Sequence, residues 1–259
     1  MKRATLHYGA HHAQVAELWR PEGVPGPLPV VVVIHGGFWR QIYTKRLMHR
    51  LCGAVVAHGW VAYNIEYRRV GNLGSGGWPE TFDDVSAAID ALAGVEGIDR
   101  RRVVTCGHSA GGHLALWAAT ARATGPPASD GRDPVRVCAA FSLAGVVDLV
   151  AAAQLHVGAG AVTALMGGSP EEYPARYAMG SPASLLPIGV PQFLVHGLDD
   201  TTVPPSLSAD YAARAHARGD AAEYVPLPGA GHMDMIDPRG AAWREVRARL
   251  DRLSAPSCP

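Results

Sequence analysis

The sequence predicts an α/β fold, in which a mostly parallel central sheet is covered by helices on both faces. Three observations favour this fold class. Short β-branched runs alternate with longer amphipathic segments along most of the chain. Pro29–Ile34 is apolar at almost every position, which is typical of a central parallel strand. Gly107–Gly111 reads G-x-S-x-G and lies between a strand pattern and a helix pattern.

The elements can be assigned in chain order. The first strand, His12–Trp19, alternates apolar and polar residues and is expected to be antiparallel. We expect Thr81 to cap the helix that follows the glycine-rich loop 71–79, with Asp83 and Asp84 in its first turn. Apolar runs predict further strands at 29–34, 60–66, 102–106, 135–143, 192–196 and 223–227. Amphipathic spacing predicts helices at 44–58, 81–92, 112–119, 206–217 and 241–253.

Length and composition indicate a single globular domain over residues 1–259. The chain is 48% hydrophobic and 18% charged, which is too apolar for a disordered protein. Its formal net charge is zero and the charges are interspersed, so neither nucleic acid nor an anionic membrane is an expected partner. No apolar run is long enough to span a bilayer.

The N-terminus and the cysteines favour a cytoplasmic location. Met1–Tyr8 has two basic residues but lacks the apolar segment of a secretory signal. The four cysteines are widely separated and lie mostly in apolar tracts: Cys52, Cys106, Cys138 and Cys258. We therefore expect reduced core thiols rather than disulfides or a metal site. No motif for a metal or a nucleotide is present, so no cofactor is predicted.

One segment interrupts the alternation of strands and helices. Val146–Pro187 is rich in Ala, Gly and Pro and contains short helical patches at 149–153, 161–166 and 171–177. It precedes the strand at 192–196 and would lie over the carboxyl edge of the sheet. We interpret it as a small cap that shapes a substrate pocket; a surface excursion without function is the alternative.

The G-x-S-x-G segment is the strongest functional motif. A serine between a buried strand and a helix, with glycine on both sides, is typical of a nucleophile elbow. The turn is so sharp that small residues must flank the serine. Ser109 is therefore the predicted nucleophile, and the helix that follows it would direct its N-terminus toward the reacting group.

A serine hydroxyl is a poor nucleophile, so Ser109 requires a base and an orienting acid. In this architecture the chain order is serine, acid, histidine. His232 lies in a flexible turn after the last predicted strand and is the predicted base. Asp199 and Asp200 both follow the strand at 192–196, and Asp148 is a third candidate acid. Spacing alone does not choose among the three.

Two further histidines after Ser109 are assigned other roles. His196 ends a strand and precedes the candidate acids, which favours a structural role in the turn. His216 lies within a predicted helix and is expected to be solvated.

An acyl-transfer site also requires donors for a developing oxyanion. Residues 35–39 read His-Gly-Gly-Phe-Trp after the strand at 29–34. The glycines would let the backbone turn its N–H groups toward the serine. We predict an oxyanion hole formed by Gly36, Gly37 and the residue after the nucleophile, Ala110.

These motifs occur in a characteristic order: HGGFW at 35–39, GHSAGG at 107–112, HGLDDTTVP at 196–204 and GAGH at 229–232. In this order they resemble the α/β-hydrolase superfamily over nearly the whole chain. The HGG-x-W motif is similar to that of the kynurenine formamidase (arylformamidase) group and related small esterases. The HG-x-x-D-x-x-V-P pattern resembles the acid loop of dienelactone hydrolases and prolyl oligopeptidases.

The resemblance implies an α/β-hydrolase fold and a serine hydrolase mechanism without a cofactor. It implies Asp200 as the acid, because this residue lies three positions before Val203-Pro204. It adds the amide of Phe38 as a third candidate oxyanion donor. The chain departs from formamidases at Gly112, where they often carry alanine.

Aromatic and basic residues near the motifs are candidates for substrate binding. Phe38 and Trp39 are predicted to line the substrate pocket, although core packing is the alternative for a tryptophan beside a central strand. Arg68 and Arg69 could bind a substrate carboxylate, and a structural ion pair is the alternative for both.

The motifs together predict a serine hydrolase that acts on small carboxylic esters or aryl formamides through an acyl-enzyme. The predicted partner is a small-molecule ester or formamide, and the sequence leaves a homodimer open. The alternatives are an oligopeptidase-like amide hydrolase and a non-catalytic ligand-binding protein of the same fold. The chain has no segment long enough for an extra gating domain, which disfavours the oligopeptidase.

Overall fold

The computed structural model of the chain describes residues 1–71, 74–123 and 135–253. One eight-stranded sheet lies at its centre, in the order β1-β2-β4-β3-β5-β6-β7-β8. The strands are β1 (Lys2–His7), β2 (Val15–Arg20), β3 (Leu28–Ile34), β4 (Val61–Ile65), β5 (Ile98–His108), β6 (Val137–Leu143), β7 (Gln192–Gly197) and β8 (Ala222–Leu227). The pairs β1–β2 and β2–β4 are antiparallel, and the remaining neighbouring pairs are parallel.

Helices cover both faces of the sheet, as the sequence predicts. They are α1 (His49–Ala57), α2 (Glu80–Asp90), α3 (Ala110–Ala123), α4 (Leu149–Gln154), α5 (Ala161–Met166), α6 (Pro174–Gly180), α7 (Ser206–Ala217) and α8 (Ala241–Leu253). One hydrophobic cluster contains side chains of α2 and α3, and the other contains side chains of α1 and α8. The α/β fold class is therefore confirmed.

The central strand β3 contributes to both hydrophobic clusters. Val30, Val32 and Ile34 pack on the side of α2 and α3, whereas Val31 and Val33 pack on the side of α1 and α8. Alternate side chains of a strand point to opposite faces, so a strand between two helical layers must be apolar throughout. Each of these side chains is at most 1% exposed and stabilises the fold by roughly 1.5–3 kcal/mol.

The strand β1 is not predicted by any pattern in the sequence. Its residues are mostly exposed, and only Leu6 is half-buried, so no hydrophobic alternation marks the strand. It pairs with β2 in antiparallel register, with Arg3 opposite Trp19. The Arg3 guanidinium also lies over the Trp19 ring, 4.8 Å from its centroid. Cross-strand pairing rather than burial therefore forms this edge.

Two predicted helix starts require correction. Thr81 is not the cap of α2, because the helix begins at Glu80 after Pro79. The buried Thr81 hydroxyl instead accepts from the Gly77 N–H and donates to the Arg68 carbonyl, so it fastens the preceding loop. The predicted helix 44–58 begins as a 3₁₀ turn over residues 45–48 and becomes α-helical at His49.

The expectation of reduced core thiols holds for two cysteines only. Cys52 and Cys106 are free and buried. Cys138 is disulfide-bonded, which contradicts the prediction. The apolar residues around Cys138 predict its burial, and it is 7% exposed, but they do not determine whether its thiol is oxidised. Cys258 and residues 72–73 of the predicted glycine-rich loop lie outside the described residues.

The segment 146–187 contains α4, α5 and α6, close to the three predicted helical patches. The third helix begins at Pro174 rather than at 171, because proline is favoured at the first helical position. Several hydrogen bonds join the segment to the rest of the fold. Among them, the backbone N–H of Trp78 donates to the Leu165 carbonyl, and the His113 ring donates to the Gly180 carbonyl at 2.8 Å.

A pair of glycine-to-alanine variants tests the packing beside β3. In Gly111→Ala, the new methyl group would overlap the Ile34 carbonyl and lie 2.6 Å from the His35 carbonyl, so we expect a loss of about 1–3 kcal/mol in unfolding free energy. In Gly53→Ala, within α1, no atom lies within 4 Å, so we expect a gain of about 0.5–1 kcal/mol. Urea unfolding measures both, and equal stability of the two variants would contradict the packing described.

Candidate active site

A serine in a left-handed conformation joins β5 to α3. Ser109 has a φ of 57° and is 2% exposed, and it lies directly between the last residue of β5 and the first of α3. Residues with a side chain seldom adopt this conformation, because their Cβ comes close to the following carbonyl. The Ser109 N–H donates to the Leu143 carbonyl on β6 at 2.8 Å, which fixes the turn. This is the strand–turn–helix context that the G-x-S-x-G motif requires.

Gly36 lies against the serine turn. A methyl group on Gly36 would lie 2.5 Å from the His108 carbonyl and 2.9 Å from the Ser109 Cβ, so only glycine fits there. Gly37 has a φ of 109°, a conformation that also favours glycine, and the Tyr43 ring packs on it. The loop at 35–39 and the elbow are therefore in direct contact, as the predicted oxyanion hole requires.

The predicted oxyanion donors have no acceptor within the protein. In the part of the chain that the structure describes, the N–H groups of Gly36, Gly37 and Ala110 donate to no protein acceptor. Ala110 is the first residue of α3, and the first N–H groups of a helix have no partner within it. Such groups, together with the helix dipole, stabilise a negatively charged oxygen.

A buried charged cluster supports the loop at 35–39. The His35 Nε2 lies 2.6 Å from the Glu66 carboxylate, and the Arg69 guanidinium lies 2.8 Å from the same carboxylate. Burial opposes ionisation of Glu66, but the hydrogen bond from His35 and the charges of His35 and Arg69 outweigh it and lower the pKa of this carboxyl. No sequence pattern indicates this role for Glu66, because His35 lies 31 residues away from it along the chain.

The geometry distinguishes the three candidate acids. Asp200 follows β7, and its Oδ2 lies 2.7 Å from Nδ1 of His232, on the turn after β8. Asp199 is exposed. Asp148 caps α4 through the Val150 and Ala151 N–H groups, and it pairs with the Arg214 guanidinium at 2.6 Å. Of the three, Asp200 is the acid that contacts the predicted base.

The Asp200 carboxylate is buried and accepts several hydrogen bonds. Its Oδ1 accepts from the N–H groups of Thr202 and Val203 at 2.8 and 2.9 Å, and its Oδ2 accepts from the rings of His196 and His232. Burial by itself would raise its pKa, but these hydrogen bonds hold the pKa of Asp200 well below its usual range. The carboxylate is thus ionised at neutral pH.

A second histidine adjoins the predicted base. The His108 Nε2 donates to the His232 carbonyl at 3.0 Å, and the two ring centroids are 4.5 Å apart. Burial, and then the neighbouring His232, lower the pKa of His108 to about 3. His108 is therefore neutral and places no second positive charge beside His232. The G-x-S-x-G motif predicts no role for His108, since this residue occupies a variable position of the motif.

The two aromatic residues predicted to contact substrate lie in different environments. Phe38 is half-buried and packs on Gly158 of the segment 146–187, with the Arg40 guanidinium 5.7 Å from its ring centroid. Trp39 is only 1% exposed, and its ring meets that of His113 edge-on at 5.4 Å. Phe38 thus retains surface for a ligand, whereas Trp39 is a core residue in this structure.

The two arginines considered for a substrate carboxylate already have partners. Arg68 donates to Asp84 through Nε and Nη2, at 2.7–3.0 Å. Arg69 is paired with Glu66. Both therefore match the alternative of a structural ion pair.

Two general properties of the described residues bear on the function. Within 1–71, 74–123 and 135–253, no group of three or more His, Cys, Asp or Glu side chains could hold a metal ion. In the same ranges, no helix is long and apolar enough to cross a membrane.

The sheet order, the serine turn after β5, and the acid and histidine after β7 and β8 define the chain as an α/β-hydrolase. The BD-FAE family model matches residues 16–214, and the chain belongs to this family.

Known proteins agree with this assignment. The chain is 31% identical to esterase LipC of Mycobacterium tuberculosis over 91% of its own length, and it spans 60% of LipC. A truncated carbohydrate esterase from gut microbiota matches 98% of this chain and 96% of its own at a TM-score of 0.80 and 19% identity. Esterase 2 of Thermogutta terrifontis with bound propionate covers 98% of this chain and 96% of its own, with a TM-score of 0.75 and 21% identity.

Two buried histidines make the stability of the fold dependent on pH. The pKa of His108 is lowered to about 3, and burial lowers the pKa of His113 to about 4, from an ordinary value of 6.5. As the pH falls, the unfolded chain binds these protons before the folded chain does. The stability that depends on the neutral histidines is therefore complete above pH 6.5 and is lost as the pH falls toward 4. We expect the unfolding free energy to decrease by about 1.4 kcal/mol per pH unit for each histidine in that window.

Urea unfolding at pH 7.5, 6 and 5 measures this slope. The variant His113→Gln removes one of the two groups, so its slope between pH 6 and 5 should be shallower by about 1.4 kcal/mol per pH unit. A variant with the slope of the wild type would contradict the neutral burial of His113.

Proposed function

We propose that the protein is a serine esterase that hydrolyses small carboxylic esters through an acyl-enzyme. The observation that carries this proposal is the 2.7 Å hydrogen bond between the Asp200 carboxylate and Nδ1 of His232, on loops that follow adjacent strands of the sheet that presents Ser109. The esterase names of LipC and of the structural neighbours support the same class of reaction.

The roles of the three residues follow from hydrogen-bond chemistry. His232 donates from Nδ1 to Asp200, so its Nε2 carries the lone pair in the neutral ring. Nε2 takes the proton of Ser109 as Oγ bonds to the ester carbonyl carbon, and the carbonyl oxygen becomes the oxyanion. Asp200 holds the tautomer and stabilises the imidazolium that forms.

The second half of the cycle uses the same groups. The tetrahedral intermediate collapses, the C–O bond to the alcohol breaks, and the alcohol leaves with the proton from His232. His232 then deprotonates a water molecule, which attacks the acyl-enzyme and releases the carboxylic acid and free Ser109. The N–H groups of Gly36, Gly37 and Ala110 would stabilise both oxyanions; each donor is worth roughly 3 kcal/mol.

Aryl formamide hydrolysis is the second candidate, and the HGGFW motif at 35–39 favours it. A formamide derived from an amino acid would bring a carboxylate that needs a cation. Arg68 and Arg69 are already paired with Asp84 and Glu66, which favours an uncharged ester instead. The bound propionate of the Thermogutta esterase supports a short acyl group.

Replacement of Ser109 tests the proposed nucleophile. We expect Ser109→Ala to lose fluorophosphonate labelling and all measurable hydrolysis of p-nitrophenyl acetate, because no acyl-enzyme can form. Its circular dichroism spectrum should match that of the wild type. Ser206→Ala, at an exposed position in α7, is the matched control and should keep full activity. Substantial labelling of Ser109→Ala would refute the assignment.

Replacement of the adjacent residues Asp200 and Asp199 tests which carboxylate is the acid of the proposed triad. Asp200→Asn should lower kcat by about 10⁴-fold, because an amide no longer holds the His232 tautomer. Asp199→Asn changes an exposed carboxylate and should retain kcat within a few-fold of the wild type. The opposite ranking of the two kcat values would assign the role to Asp199.

Comparison of kcat/KM for p-nitrophenyl acetate with kcat/KM for N-formyl-L-kynurenine distinguishes the two substrate classes. The Ser109→Ala variant gives the background rate for each substrate. We expect the ester value to be higher, since Arg68 and Arg69, the two arginines considered for the kynurenine carboxylate, are already paired with Asp84 and Glu66. A formamide value orders of magnitude above the ester value would make the protein an arylformamidase.

A further inference from the structure

His196 occupies the other side of the Asp200 carboxylate. It lies on β7, is fully buried, and places its Nε2 3.1 Å from Asp200 Oδ2 and 3.0 Å from the Val203 carbonyl. Its Nδ1 lies 2.8 Å from the hydroxyl of Ser208, which is also fully buried in α7. A chain of contacts thus runs from Ser208 through His196 and Asp200 to His232.

The partners of His196 determine which ring nitrogen carries the proton. Both groups near Nε2, a carboxylate and a carbonyl oxygen, accept hydrogen bonds, so Nε2 must be the donor. In the neutral ring, Nδ1 is then an acceptor, and the Ser208 hydroxyl donates to it. No solvent reaches either side chain, so the arrangement has no competition from water.

The result is a carboxylate with every acceptor position occupied. A carboxylate has about four lone-pair sites. The two backbone N–H groups of Thr202 and Val203 fill those of Oδ1, and His196 and His232 fill those of Oδ2. Rotation of the carboxylate would break at least two of these bonds, so its orientation toward His232 is fixed before substrate binds.

We propose that His196 is a positioning residue for the reaction, held in its tautomer by Ser208, and that it acts on His232 through Asp200. This inference rests on the proposed serine esterase function. His196 shares Oδ2 with His232, so it both fixes the direction of that oxygen and draws part of its negative charge. Without the His196 N–H, Oδ2 would keep more of its negative charge, so it would stabilise protonated His232 more strongly whenever it faces that ring. The orientation of Oδ2 would, however, no longer be fixed, so it could also turn away from His232.

Two kinetic consequences separate this role from a purely structural one. The first is a fall in kcat with little change in KM, because no substrate contact is lost. The second is a shift of the acidic limb of the kcat/KM profile to higher pH, because Oδ2 stabilises the protonated base more strongly. The titratable groups facing Asp200 and His232 are His196 and His108, and His108 is unchanged in the variants below.

The test uses three variants of the full chain, assayed with p-nitrophenyl acetate from pH 5 to 9. His196→Leu removes both hydrogen bonds, and we expect kcat to fall by about 10- to 100-fold, by analogy with the loss of residues that orient metal ligands through hydrogen bonds. His196→Gln, whose amide can donate to Asp200, should recover much of that loss. His113→Gln, at an equally buried histidine that does not contact Asp200, should leave the acidic limb in place.

Ser208→Ala keeps the test decisive if His196→Leu does not fold. It retains the imidazole but removes the hydroxyl that fixes the tautomer, and we expect a smaller fall in kcat with the same direction of shift. Proton NMR of the His232 Nδ1–H provides a readout that does not depend on turnover. We expect this resonance to move in Ser208→Ala and to stay in place in His113→Gln.

The outcomes distinguish this inference from the proposed function. A wild-type protein that hydrolyses neither ester nor formamide refutes the proposed function, whereas the NMR comparison still reports on the hydrogen bond. An active wild type whose His196→Leu and Ser208→Ala variants keep its kcat, its acidic limb and its Nδ1–H resonance refutes the positioning role alone.

Discussion

The arrangement of the site depends on close contact between backbone segments at the carboxyl ends of two parallel strands. The left-handed turn at Ser109 fits under the loop after β3 because Gly36 has no side chain, and α3 can begin beside β3 because Gly111 has none. Protein interiors pack as densely as crystals of small organic molecules, so the structure has no space for a single methyl group at either position. The strand pairing β3–β5 therefore sets the distance between the serine and the loop at 35–39.

Two buried carboxylates support the two halves of the site in similar ways. The Glu66 carboxylate, after β4, accepts a hydrogen bond from the His35 ring. The Asp200 carboxylate, after β7, accepts hydrogen bonds from the rings of His196 and His232. Both carboxyls have a lowered pKa in spite of burial, since each is surrounded by donors. An ionised group away from water must be paired in this way.

The strands and helices that bury a regular set of apolar side chains could be predicted from the sequence, whereas those without such a set could not. β3 and the strand before Ser109 are apolar and were found, whereas β1 is exposed along most of its length and was not. Thr81 is a residue type that often caps helices, but its hydroxyl instead forms hydrogen bonds with the backbone of Arg68 and Gly77 in the preceding loop. Local propensity and burial predict which segments are regular, but they do not predict which distant group a polar side chain will meet.

The sequence by itself determined the fold class, the order of the motifs and the position of Ser109 at a strand–helix turn, because these depend on local patterns of apolar and small residues. The resemblance to α/β-hydrolases favoured Asp200 as the acid, but only the tertiary structure showed that its carboxylate contacts His232 and that His196 and Ser208 lie behind it. The physical reason is that hydrogen-bond partners are selected by strand order and loop direction. Residues adjacent in the sequence, such as Asp199 and Asp200, can point to solvent and to the core respectively.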